Sequence, residues 1–94
     1  MVEMVVIQGM HPLKIDSAQD RREEKKKFAD KIGSHIRKIR MKKSISQENL
    51  SLKAGYYRTY VAKIEQGMYS PSLHTIWRLA HALDLSLPDF FKNF

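Results

Sequence analysis

Cysteine is absent from this 94-residue chain, which excludes a disulfide framework, a thiolate metal site and a thiol nucleophile. Long apolar runs are absent too. The longest near the start, Met-Val-Val-Ile at residues 4–7, falls far short of the ~20 residues needed to span a bilayer. Glu3 and the lack of an N-terminal basic cluster argue against a secretory signal, so a cytoplasmic protein with no membrane partner is expected. The histidines, at 11, 35, 74 and 81, show no metal-ligand spacing. No glycine-rich turn followed by Lys-Thr offers a phosphate loop, and no carboxylate pair is placed for acid–base work. Catalysis, a metal and a cofactor are therefore not expected. Strand signals are nearly absent after residue 15, and no repeat or low-complexity tract appears.

What the chain does have is positive charge, and that charge is localised. The net charge is +7. Residues 1–30 carry six basic and six acidic side chains, and residues 68–94 carry two of each. Residues 31–67 hold nine Lys or Arg against Glu48 and Glu65 alone, so the whole excess lies in this central segment. Focused positive charge attracts and holds a phosphate backbone, which points to a polyanionic partner. The lysine run at 25–27 has balanced neighbours and reads instead as a solvated helical face.

The central segment is also where helical signals are densest. Residues 1–16 contain a short strand or an ordered arm, broken by Gly9 and Pro12. From Ser17 a helix is predicted to about Lys43, with Glu23 and Lys27 forming a favourable i,i+4 pair. Phe28, Ile32, Ile36 and Ile39 form its apolar stripe. Ser46 is placed to cap a second helix that stops at Gly55, a residue suited to a left-handed turn. A third ends at Gly67 for the same reason. Ser72 opens a fourth, with Leu73, Ile76, Trp77, Ala80 and Leu83 on one face and His74, Arg78 and His81 off it. Ser86, Pro88 and Asp89 open a last short helix. The fold class is therefore all-α, a compact bundle of about five helices at residues 28–94 behind an N-terminal arm and helical extension at residues 1–27.

Two short helices joined through Gly55, with another packed behind them, match the helix-turn-helix pattern. The matching residues are Ser46-Gln47-Glu48, Leu50, Gly55, Ile64-Glu65-x-Gly67, Pro71-Ser72-Leu73 and Leu79-Ala80-x-Ala82-Leu83. Together they resemble the Cro/phage-repressor, or XRE-like, regulators over residues 29–91, a lambda-repressor-like DNA-binding domain. Arg58-Thr59-Tyr60 further resembles restriction–modification controller proteins. The resemblance implies a sequence-specific regulator that binds a double-stranded DNA operator with paired half-sites as a homodimer. A protein-binding module of the same fold, antitoxin-like or adaptor, is the rival reading, with the N-terminal arm and the Phe-rich tail as its contacts.

Helical geometry, at ~100° per residue, sorts the third helix without that resemblance. Val61 and Ile64 define a buried side. Thr59, Ala62, Lys63 and Gln66 face the other way, with Arg58 and Tyr60 flanking. Arg58 is a candidate for bidentate contact with a guanine edge, Thr59 for a thymine methyl or base-edge hydrogen bond, and Lys63 for a base or a phosphate. Tyr60 is expected to pack its ring and offer its hydroxyl to a phosphate. Tyr56 reads as packing. Tyr57 stands where the resembled family places a Ser or Thr cap, so the start of the helix needs another source of hydrogen bonds. The resemblance further implies phosphate contacts at Ser46, Gln47, Gln66, Tyr69 and Ser70, and an ion pair between Arg40 and Glu65. Phe90, Phe91 and Phe94 are candidate dimer contacts, with the alternative that Phe90 completes the core of one subunit.

Overall fold

The computed structural model describes residues 17–94, and the reading of residues 1–16 as a strand or arm lies outside them. Five helices follow in order: α1 (Ala18–Lys42), α2 (Gln47–Lys53), α3 (Tyr60–Glu65), α4 (Leu73–Ala82) and α5 (Leu87–Phe90). No strand occurs among the described residues. None of the described helices is long and apolar enough to cross a membrane.

Local sequence explains where these helices begin. Ser17, Ser46, Ser72 and Ser86 each accept a hydrogen bond from the backbone amide three residues on, at 3.0 to 3.2 Å. Each satisfies one of the orphan donors that open a helix. The helix ends share a second device. After α1 to α4, two backbone bonds fold the chain back, such as Gly55 N–H to Leu52 O and Tyr56 N–H to Ser51 O. This paired pattern requires a residue in the left-handed region. Gly55 supplies it at φ 87° and Gly67 at φ 74°, while Ser44 and Asp84 adopt it at φ 54° and 58° without glycine's freedom.

The core forms where α1, α2 and α4 meet α3. Ile32 and Ile36 of α1, Leu50 and Ala54 of α2, Val61 and Ile64 of α3, and Ile76, Leu79 and Leu83 of α4 are all buried. Burying each larger aliphatic chain contributes on the order of 1.5–3 kcal/mol. Gly33 sits on α1 directly against the end of α3. A side chain there would strike the Ile64 carbonyl and come within 3.0 Å of Glu65 Cα. The missing side chain is what lets α3 lie this close to α1.

Several packing expectations are corrected. Phe28 is half exposed, and Ala29, Gly33 and His35 are buried on α1 in its place. The helix projects beyond the globule at Phe28, whose ring meets only Phe94, edge-on at 6.0 Å. On α4, Leu73 and Trp77 are exposed, whereas Thr75, Leu79 and Ala82 join the buried face. The i,i+4 ion pair on α1 is Lys26–Asp30 at 2.8 Å, and Glu23 instead accepts from Gln19. Phe90 is fully buried and completes the core of one subunit, so it leaves no surface for a dimer contact. Phe91 and Phe94 are partly buried against that core.

Candidate nucleic-acid interface

The short helix α3 owes its orientation to three attachments. The first is an ion pair at its end. Arg40 of α1 donates from Nε to Glu65 Oε2 at 2.7 Å and from Nη2 to Glu65 Oε1 at 3.1 Å. Both side chains are largely buried, at 13% and 4% exposure, so the pair is shielded from salt. Arg40 Nη1 also donates to the Ile45 carbonyl, and Gln47 Nε2 to Glu65 Oε1. One carboxylate thus joins α1, the start of α2 and the end of α3. Gln47 reaches Glu65 by its amide nitrogen, which leaves its side-chain oxygen and the adjoining helix start facing outward.

The second attachment answers the missing cap. Thr59 occupies the capping position without a side-chain cap bond. Instead the Val61 amide donates to Ser51 Oγ on α2 at 2.9 Å, and that hydroxyl donates to the Gln47 carbonyl at 2.8 Å. Ser51 is wholly buried. Sequence reasoning missed it, although a serine one step from Leu50 on a short amphipathic helix is a local signal for a buried polar role.

The third attachment is aromatic. Tyr56 stacks on Tyr60 at 4.3 Å, and Tyr60 lies near-parallel to Tyr69 at 5.8 Å. Tyr57 meets the Tyr60 ring edge-on at 5.3 Å. Tyr56 donates its hydroxyl to Thr75 on α4 at 3.1 Å, which anchors the stack. The Tyr57 and Tyr69 hydroxyls lie 3.2 Å apart. That hydrogen bond is the main reason the Tyr57 phenol is pushed up to about 12, with partial desolvation and the neighbouring Tyr69 and Tyr60 phenols adding to it. Lys63 rests its ammonium 5.1 Å over the Tyr57 ring.

Arg78, placed off the apolar face of α4 by its sequence position, also has a structural task. Its Nε donates to the Ala54 carbonyl at 2.9 Å, satisfying the end of α2, and its guanidinium lies over the Tyr56 ring. It covers Gly55, the residue on which the two helices turn.

With α3 held this way, its other side stays open. Val61 and Ile64 are buried, Ala62 and Lys63 half-buried, and Arg58, Thr59 and Gln66 exposed. Arg58 is 72% exposed, with its Nε 3.6 Å from Glu48 Oε1 on α2. Tyr57, Tyr69 and Ser70 lie exposed beside the start and end of the helix, and Ser46 caps α2 at the surface. Phe91 and Phe94 belong to a different part of the molecule, around α5 and the α1 face bearing His35. Among the described residues no group of His, Asp and Glu is arranged to hold a metal ion.

Comparison with known proteins agrees with this geometry. A helix-turn-helix family model matches residues 36–90. An uncharacterized HTH-type transcriptional regulator of Sinorhizobium fredii is 31% identical over 55 residues, covering 58% of this chain and 71% of that protein. The immunity repressor protein of Bacillus phage phi105 is 38% identical over 56 residues, covering 60% of this chain and 39% of the repressor. Among solved structures, the restriction-modification controller protein C.AhdI from Aeromonas hydrophila superposes with a TM-score of 0.65 at 36% identity, covering 70% of this chain and 96% of that one.

Proposed function

The chain belongs to the helix-turn-helix family, and from that premise we propose that it is a transcriptional regulator that reads double-stranded DNA in the major groove with α3. The observation that carries this reading is the division of α3 itself. One side seals the core through Val61 and Ile64, while Arg58, Thr59 and Gln66 of the same short element remain exposed beside Lys63. A B-DNA major groove admits an α-helix, and Ala62 at the centre of the outward face is small enough for close approach.

In this reading Arg58 and Thr59 contact base edges and Lys63 reaches a base or a phosphate. Ser46, Gln47, Tyr57, Tyr60, Gln66, Tyr69 and Ser70 surround them as backbone contacts that fix register without reading sequence. A six-residue helix spans few base pairs, so the working form is a two-fold dimer on half-sites about one helical turn apart. Phe91 and Phe94 are the remaining candidates for that dimer contact.

The test is selection of bound duplexes from a random pool, followed by mobility-shift titration at several salt concentrations. A paired, two-fold symmetric sequence is expected, with affinity falling steeply as salt rises because several phosphates release counterions. Binding indifferent to salt, or no enriched sequence, contradicts the reading.

A further inference from the structure

The projecting part of α1 is not the uniformly mixed surface that its balanced charge suggests. At ~100° per residue, Arg21, Arg22, Lys25 and Lys26 fall within an arc of about 140° that contains no acidic residue. Asp20, Glu23, Glu24 and Asp30 fall on the opposite side, together with Lys27. Lower on the same helix the basic arc continues as the face bearing Ile32, Ile36 and Arg40, which packs on the domain. The stripe therefore changes from apolar to basic where the helix leaves the globule.

The structure also fixes what this basic stripe faces. A cleft of about 190 Å³ has Arg22, Lys25 and Lys26 on one wall and Gly67, Met68 and Ser70, the loop leaving α3, on the other. Lys26 spans it, donating to the Gly67 carbonyl at 3.1 Å and to Asp30 at 2.8 Å. That bridge fixes the helix beside the loop. Among the described residues, neither Arg22 nor Lys25 has a carboxylate within ion-pair distance. Two unpaired cations thus lie next to Ser70, at the edge of the surface assigned above to DNA.

We propose that the projecting part of α1 is a second contact with the DNA backbone, with Arg22 and Lys25 taking phosphates outside the base pairs read by α3. This rests on the groove reading of α3. The segment precedes residue 36, where the family match begins, so it is an addition to the shared domain. Its effect is to lengthen the duplex the protein protects and to raise affinity without adding base preference.

The test uses the whole chain and a duplex recovered from a random pool, in two versions. One is trimmed to the selected sequence, and the other carries mixed-sequence flanks of about one helical turn on each side. Affinity is measured by fluorescence anisotropy across a salt series. Arg22→Ala/Lys25→Ala is expected to make the plot of log affinity against log salt shallower by about two per subunit on the flanked duplex, at ~0.9 per lost phosphate contact. It should leave binding to the trimmed duplex unchanged. Arg22→Lys/Lys25→Arg should keep the wild-type slope, and so should Lys27→Ala on the acidic arc. Alanine favours helix, and circular dichroism checks that α1 is intact. If the double alanine variant keeps the wild-type slope on the flanked duplex while Arg58→Ala weakens both, the α1 contact is wrong and the groove reading stands. If the unaltered protein enriches no duplex, both are wrong.

Discussion

Ser51 on α2 caps α3 across the turn: its hydroxyl accepts the Val61 amide at 2.9 Å and donates to the Gln47 carbonyl at 2.8 Å. The cap that α3 lacks in its own sequence is supplied by the preceding helix. Ser51→Ala leaves a buried N–H without a partner and is expected to cost ~1–3 kcal/mol of folding stability. Urea denaturation measures this. A variant as stable as the parent would mean that water or a shifted backbone replaces the hydroxyl.

Arg40 and Glu65 make the second prediction. Both side chains are largely buried, so Arg40→Met strands a carboxylate in the interior and is expected to cost ~3–5 kcal/mol. Arg40→Met/Glu65→Leu removes both charges and should recover much of that loss. Equal stability of the single and double variants would show that the carboxylate is not held as tightly as the geometry indicates.

These two cases differ in how legible they were. Serines 17, 46, 72 and 86 and the glycines at 55 and 67 were readable because a cap or a left-handed turn depends on a few adjacent residues. Ser51 and Arg78 were not, because their partners lie on other helices, at Val61 and Ala54. Periodicity found the apolar stripe of α1 but could not show where the globule stops, so Phe28 was assigned to the core. The same limit applies to Leu73 and Trp77, which continue the α4 stripe beyond the residues it packs on. Counting charge over residues 1–30 hid the separation of basic from acidic faces, which only helical geometry and the loop after α3 bring out. The reading face of α3 was accessible from two buried positions, Val61 and Ile64, since the remaining directions follow from the helical period.

Tyr57 supplies a pH signature. Its phenol is pushed up to about 12, chiefly by the hydrogen bond with Tyr69. The folded value lies above the ordinary one near 10, so the stabilisation is fully present below pH ~10 and is lost as pH rises through about 12. Ultraviolet titration of the phenolates should show one tyrosine ionising after the others. Tyr57→Phe should delete that late step, and Tyr69→Phe should move it toward the ordinary range. A single titration of all tyrosines near 10 contradicts the hydrogen bond.

Arg58 and Glu48 lie 3.6 Å apart on an exposed surface. If Arg58 reads a guanine, Arg58→Ala should cost ~1–3 kcal/mol of binding and relax preference at one base pair. Glu48→Gln should instead tighten binding, because it removes a carboxylate that competes for the guanidinium and repels phosphate. Competition binding against operator variants measures both. An equal loss on every sequence for Arg58→Ala would make that residue a phosphate contact.

The central claim, that α3 lies in the major groove, is tested most directly by methylation interference on the selected duplex. Guanine N7 lies in the major groove and adenine N3 in the minor groove. The account predicts that methylating N7 of a guanine in each half-site blocks binding, that Arg58→Ala removes this sensitivity, and that methylating adenine N3 there has little effect. Interference confined to adenine N3 would contradict it.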